Sequence, residues 1–389
     1  MTSMPTRATA TKRVLVICQL DAYANGVKPV EIQRFLRQRG HDVRLVDTYH
    51  LSRWARAPGR FGRRLPAPGP RRFALYATEA ASLVLTRRWG FGRRHLSYYL
   101  LIADHRLRRA ILRRSLPLDD FDLVICETPY DAGVLAAAGA ARTLYDAPTP
   151  WADEVYFDGR ASERQHGKLR RLETALCENV DHLAFHWESY ARYAVDRYGI
   201  SGRNLMPLNF GCTPSKQRAM FAVPPRIVYF GNVGVGYNAP ALLARLAALY
   251  PHIDVYGGPP PDPRLGLHYL GYTPSLDVLR NYQLGLVTCS QDRLRRNGFS
   301  AKHVSYLSYG LPVLVPSWRR HLDLLRGSVP YTEETFRCVV DSMRDESRWR
   351  SASDEAYAQA ERLRWDETLR PLEHLLSRDP QLPEDRKWT

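Results

Sequence analysis

The sequence predicts an α/β protein built from two doubly wound parallel-sheet domains. Three observations carry that prediction. At 389 residues the chain exceeds one ordinary core, and two domains is the default. Apolar, β-branched runs alternate with amphipathic segments that end at glycine, the rhythm of strand–helix crossovers. That rhythm starts twice, at RVLVICQL from residue 13 and at RIVYFGNVGVG from residue 226. Between them lies the proline-containing stretch TPSKQRAMFAVPP.

The elements follow in order. RVLVICQL reads as a strand buried on both faces, because its apolar run is continuous rather than alternating. A polar loop, DAYANGVKP, leads into the helix pattern VEIQRFLRQRG, stopped by Gly40, and HDVRLVD is the second strand. Residues 51–115 interrupt the alternation with arginines, aromatics and Pro/Gly punctuation. FDLVICE then gives a strand, PYDAGVLAAAG a short helix and ARTLYD a strand. A long polar helix follows at about 160–178, then the strand DHLAFHW and the helix SYARYAVDRYG, with NLMPLNFG closing this half. After the linker, the second series has the helix PALLARLAALYP, the strands HIDVYGG, LGLHYLGY, LGLVTCS and LPVLVPS, and the helices SLDVLRNY and AKHVSYLSYG. From about 332 the chain reads as helical and charged, ending in a polar tail. The expected boundaries are 1–212, a linker at 213–225, and 226–389.

Composition narrows the function classes. With 44% hydrophobic and 25% charged residues the chain is globular, not disordered. A formal net charge of +16 favours an anionic partner: phosphorylated substrates, an acidic membrane surface or nucleic acid. Six cysteines are scattered singly with no CxxC pair, which argues against a zinc site and fits a reducing, cytoplasmic compartment. RVLVICQL is too short for a secretory core. Phe73 to Leu85 is too short to span a bilayer and contains Glu79.

The most specific stretch is NGFSAKHVSYLSYGLPVLVPSW, residues 297–318. Lys302, Tyr306, Gly310, Leu311, Pro312 and Val313 fall in the register of the nucleotide-sugar motif of GT-B glycosyltransferases, and the stretch resembles family four and its relatives. The fold this implies is two Rossmann-like domains facing a cleft. A helix N-terminus with unpaired N–H groups receives a diphosphate, and a lysine in its first turn adds a point charge. FGNVGVGYN, residues 230–238, resembles the family's glycine turn beside the donor diphosphate, where a missing Cβ lets backbone approach phosphate. On this resemblance Lys302, Gly231, Asn232, Gly234, Tyr272, Ser300 and Ser305 are donor-binding candidates, with Leu270 beside Tyr272 at the base. The sequence departs from the retaining members at two places. Their paired glutamates align with Asn297 and Ser305, which leaves the stereochemical outcome open.

ANGVKPVEIQRFLRQRGHDV resembles the family's opening motif and places Gly26 on the acceptor side. Family members carry a histidine or aspartate after strands matching LVICE and TLYD. Asp146 is therefore the first candidate for the base, with Glu127 and Asp131 behind it, and Trp151 is a candidate platform for an acceptor sugar. The implied reaction moves a glycosyl group from a nucleoside-diphosphate sugar to the hydroxyl of a carbohydrate, lipid-linked or small-molecule acceptor. It uses no cofactor beyond the donor and no metal, since no DxD-type motif stands in a suitable loop. The rivals are a catalytically degenerate homologue that binds nucleotide beside another enzyme, and a nucleotide-sugar epimerase.

The basic segment 53–114, opposed only by Glu79 and Asp104, has three readings. It is a peripheral patch for anionic lipid at the inner membrane face, a set of packing helices with solvated arginines, or a nucleic-acid surface. No recognised nucleic-acid fold surrounds it, which disfavours the last.

Overall fold

The computed structural model describes residues 10–20, 27–48, 93–139, 141–234, 238–298, 300–319, 321 and 325–377. The chain divides into two compact units, one of Met1–Asn209 together with the chain from Leu369 onward, the other of Phe210–Thr368.

The first unit holds a parallel sheet of β1 (Arg13–Cys18), β2 (Asp42–Asp47), β3 (Leu123–Cys126), β4 (Arg142–Ala147) and β5 (His182–Phe185), in the order β2-β1-β3-β4-β5. Val14, Leu15, Val16 and Ile17 have no exposure, as a strand covered on both faces requires. Each such side chain contributes about 1.5–3 kcal/mol by leaving water. The helix Val27–Gln38 buries Pro29, Ile32, Phe35 and Leu36 at helical spacing, and also the lysine Lys28. The long polar helix expected at about 160–178 is there as Glu163–Glu178, and a short helix that the sequence reading did not separate, Trp151–Phe157, precedes it. A reciprocal capping box between Ser162 and Gln165 starts the longer of them.

The second unit holds β6 (Ile227–Phe230), β7 (Ile253–Tyr256), β8 (His268–Tyr269), β9 (Leu284–Leu286), β10 (Val313–Pro316) and β11 (Ser328–Tyr331), in the order β11-β10-β9-β6-β7-β8. All the pairings in both sheets are parallel. β11 has no counterpart in the sequence reading, because SVPY is short and contains proline. SLDVLRNY forms a 3-10 helix at Leu276–Asn281.

Three expectations about organisation change. Residues 213–225 are no free linker: Ser215 N–H donates to Ser308 O (2.8 Å), Ala219 N–H to Tyr309 O (2.9 Å), and Gln283 Nε2 to Met220 O (2.8 Å), all within the second unit. The terminal helix Arg370–Ser377 belongs to the first unit, where Arg142 Nη1 donates to Leu375 O (2.5 Å) and Glu373 pairs with Arg39. The boundary accordingly falls after Asn209. Of the basic segment, 51–92 lies outside the described residues, while Arg93–Ser115 forms a helix. That helix exposes Arg106, Arg109, Arg113 and Arg114 but buries Arg108, so its arginines are not all solvated. Among the described residues no helix is long and apolar enough to cross a membrane.

Candidate functional site

In open parallel sheets the order reverses at a switch point, and ligands settle beyond the carboxyl ends of the strands there. In the second unit that point lies between β6 and β9. Gly231 follows β6 with φ +148°, a backbone state that side chains rarely adopt, and a Cβ there would stand 3.2 Å from Lys302 Nζ. Gly258, after β7, has φ +68°, and a Cβ on it would come within 2.8 Å of Asn232 Cα. The bare backbone thus forms a cradle under the Lys302 ammonium. Asn232 folds the loop after β6: its Oδ1 accepts from Gly234 N–H (2.8 Å), and its carbonyl accepts from Asn238 Nδ2 (2.6 Å). Val235, Gly236 and Tyr237 lie outside the described residues.

Lys302 sits in the first turn of the helix Ala301–Ser308. Its Nζ donates to Tyr229 Oη (2.9 Å) and Asn238 Oδ1 (3.4 Å), both neutral oxygens. Burial, reinforced by the Arg319 guanidinium, pushes the ammonium down to about 7 from its ordinary 10.5, although the Cys289 thiol opposes the shift. Among the described residues Lys302 has no carboxylate partner, and it stands beside the buried Arg319 at a helix N-terminus, a setting that favours an anion. Tyr306 holds this arrangement together. Its ring lies against Gly285, where a Cβ would approach within 2.3 Å. Its hydroxyl accepts from Phe230 N–H (2.7 Å) and donates to Leu286 O (3.2 Å), tying β6 to β9 beside the cradle.

The other donor candidates divide. Tyr272 is 58% exposed just past β8, and Leu270 is 41% exposed, so both are open to a ligand. Ser300 caps the lysine helix, and its buried hydroxyl has no partner among the described residues. Ser305 and Asn297, at the glutamate positions of the retaining enzymes, bond back into their own helices, Ser305 Oγ to Ala301 O (3.2 Å) and Asn297 Nδ2 to Arg293 O (2.8 Å). The sequence reading missed Asn238 and Arg319. The signal for Arg319 was there, since PSWRR puts two arginines directly after a strand.

In the first unit the carboxyl ends of β3, β4 and β5 bring together Glu127, Asp146 and His186. Lys28 Nζ donates to Asp146 Oδ1 (2.8 Å) and to Leu208 O (2.5 Å). His186 Nε2 stands 3.5 Å from Glu127 Oε1 and 3.9 Å from Asp146 Oδ2. All four side chains are buried. Burial lowers Lys28, and burial with the nearby Lys28 charge lowers His186 well below its ordinary range. Burial raises the Asp146 carboxyl against the pull of Lys28. Sequence reasoning found Asp146 and Glu127 but neither Lys28 nor His186. Lys28 lies on the apolar stripe of its helix, where a lysine is unexpected, and that was its signal.

Three of the candidates in this unit need correction. Asp146 has no exposure and is salt-bridged, so it is not placed to meet an acceptor hydroxyl. Asp131 is engaged on every side: Thr48 Oγ1 (2.5 Å), Thr128 Oγ1 (2.9 Å), Arg108 Nη1 (3.2 Å) and Gln19 Nε2 (3.5 Å) donate to it. It anchors the 93–115 helix to the sheet. Trp151 is 3% exposed and meets Tyr130 edge-on at 5.8 Å between ring centroids, so its faces are not an open platform for a sugar. Gly26 lies outside the described residues.

No family model and no curated protein matches this sequence. Solved structures do. Sucrose-phosphate synthase from Thermosynechococcus elongatus superposes with a TM-score of 0.65 at 13% identity, over 94% of this chain and 98% of its own. HepE from Anabaena, in complex with UDP-glucose, gives 0.61 at 12% identity over 94% and 99%. CalG4, the calicheamicin glycosyltransferase, gives 0.52 at 14% identity over 94% and 98%. The chain therefore has the fold of the GT-B glycosyltransferases, two parallel-sheet α/β domains, as the motif at 297–318 implied. At these identities the likeness is one of fold.

Proposed function

We propose that this protein is a glycosyltransferase that moves a sugar from a nucleoside-diphosphate sugar to an acceptor hydroxyl. One observation carries the proposal: Lys302, at a helix N-terminus and facing neutral partners, lies over the glycine cradle at the switch point of the second unit. HepE, which shares the fold, was solved with UDP and with UDP-glucose. In this reading the diphosphate takes the Lys302 ammonium and the first-turn N–H groups, with Arg319 adding charge. The Gly231–Gly234 loop and Asn232 line the phosphates, Ser300 offers a hydroxyl, and Tyr272 with Leu270 borders the base. Ser305 Oγ donates to Ala301 O and keeps its lone pairs to accept from a ribose hydroxyl. The Lys28–Asp146–His186–Glu127 cluster fixes the carboxyl edge of the first unit rather than attacking substrate.

The test is calorimetry with UDP, GDP, dTDP and their sugars. Selective binding to one base, weakened about 10- to 100-fold by Lys302→Ala, supports the donor site. Absence of binding by folded protein refutes it. The two non-acidic positions, Asn297 and Ser305, favour one second reading, a degenerate homologue that binds nucleotide without turnover. Release of nucleoside diphosphate from the bound donor separates the two. The exposed Arg106, Arg109, Arg113 and Arg114 support a lipid-linked acceptor reached at an anionic surface. Replacing Arg106, Arg109 and Arg113 by Glu should abolish co-sedimentation with phosphatidylserine vesicles.

A further inference from the structure

The second unit carries a cavity of about 340 Å³ away from the Lys302 cradle. Two residues that line it, Arg226 and Gln283, directly precede β6 and β9, so it begins at the amino ends of the strands whose carboxyl ends border the cradle. The four residues of β6, at about 3.3 Å each, put about 13 Å between the two ends. The faces differ as well. Val228 pairs with Asp254 and Phe230 with Tyr256 in parallel register. Alternation therefore sends Asp254 and Tyr256 to one face of the sheet, and Tyr229, which bonds Lys302, to the other. Tyr256 lines the cavity.

Part of the lining is locked in place. Arg226 Nη2 donates to Asp254 Oδ2 (2.7 Å), and its guanidinium lies over the Tyr282 ring, 4.8 Å from the centroid. Tyr282 Oη donates to the same oxygen (2.7 Å) and stands 3.2 Å from Tyr256 Oη. The two tyrosine rings meet edge-on, 81° apart. Gln283 ties the wall together: its Oε1 accepts from Arg226 N–H (2.8 Å) and its Nε2 donates to Met220 O (2.8 Å). These groups make an aromatic corner whose charges already neutralise one another.

Arg280, which also lines the cavity, is different. Its Nη1 donates to the neutral Gln217 Oε1, and among the described residues no carboxylate forms an ion pair with it. Asp277, on the same 3-10 helix, acts on it only from beyond that range and gives its oxygens to Tyr309 Oη (2.9 Å) and Ser275 Oγ (2.9 Å). Asn281 beside it is exposed, and its amide has no partner among the described residues. The volume falls at the lower end of the range for small-molecule sites, about 300–1,000 Å³, which suits one ring rather than a sugar nucleotide.

We propose that this cavity is a second small-molecule site, for an organic anion built on one aromatic ring. The ring pairs with Tyr256 and Tyr282 beside Phe221, and its carboxylate or phosphate meets Arg280 and the Asn281 amide. Nothing in this site draws on Lys302 or on glycosyl transfer, so it stands independently of the transferase reading.

The test is calorimetry on the full chain with benzoate, phenyl phosphate and inorganic phosphate. At least one ringed probe should bind about tenfold or more tightly than inorganic phosphate, and the better of the two names the head group. Arg280→Ala should weaken that probe about 10- to 100-fold, and Arg280→Lys should recover part of the loss. Ala222→Trp, an exposed position on the cavity wall, should exclude the ring without removing a charge. Lys302→Ala and saturating UDP-glucose should each leave the Kd within about twofold. The proposal is overturned if neither ringed probe binds, if inorganic phosphate binds as tightly, or if folded Arg280→Ala or Ala222→Trp binds as wild type does. Loss of binding in Lys302→Ala also overturns it, because the anion then sits in the cradle.

Discussion

If the diphosphate of a donor takes the Lys302 site as proposed, the depressed ammonium makes donor binding a proton-linked event. In the free protein the group titrates at about 7. A bound diphosphate places two negative charges beside it and restores the charged form, so the pKa of the complex rises toward its ordinary value near 10.5. The sign follows. A group whose pKa is raised on binding contributes affinity that is complete below the lower pKa and is lost as pH rises above it. At pH 6 about 90% of the free protein carries the charge, and at pH 9 about 1% does. Affinity for a sugar nucleotide should therefore fall roughly 100-fold between those limits, about 2.7 kcal/mol. At pH 8 binding should take up about 0.9 proton, which calorimetry in buffers of different ionisation enthalpy reads directly. UDP-glucose is a cleaner probe than UDP, whose terminal phosphate titrates within the same span. Lys302→Arg, which stays charged, should bind with no such slope. A wild-type Kd constant within about threefold from pH 6 to 9, or binding without proton uptake, would refute the account of Lys302.

Three further substitutions probe the same scaffold. Gly231→Ala forces a side chain into φ +148° and against Lys302, so donor affinity should fall at least about tenfold while the far-UV circular dichroism stays native. Tyr306→Phe strands the Phe230 N–H and the Leu286 carbonyl and should cost about 1–3 kcal/mol in urea unfolding. Arg108→Leu leaves Asp131 buried without its cation; a loss of about 3–5 kcal/mol is expected, with Asp131→Asn in the same background restoring part of it.

Much of the fold was legible because burial writes itself locally. A strand covered on both faces must be apolar throughout, as in Val14–Ile17, and a helix that stops needs a residue such as Gly199 at φ +68°. Lys302 was legible for a related reason: a helix start and its first-turn lysine are neighbours in the chain. The misreadings have one shared cause. Trp151 and Asp131 each carry the residue type that function needs, but residue type does not reveal what covers it. Trp151 lies against Tyr130, and Asp131 is surrounded by four donors from four parts of the chain.

By itself the sequence determined two α/β units, the alternation of their strands and helices, and a helix start at Ser300 with Lys302 in its first turn. Only tertiary structure decided that 213–225 packs into the second unit, that the terminal helix packs into the first, and which polar side chains meet. Lys28 and Asp146 are 118 residues apart, and Tyr306 reaches Phe230 across 76. His166 and Asp153 are only 13 apart, yet they meet because two helices fold back on each other at the Ser162 cap. Periodicity records which face of an element is buried; it holds no information on which distant group that face will meet, and the chemistry of this protein depends on those meetings.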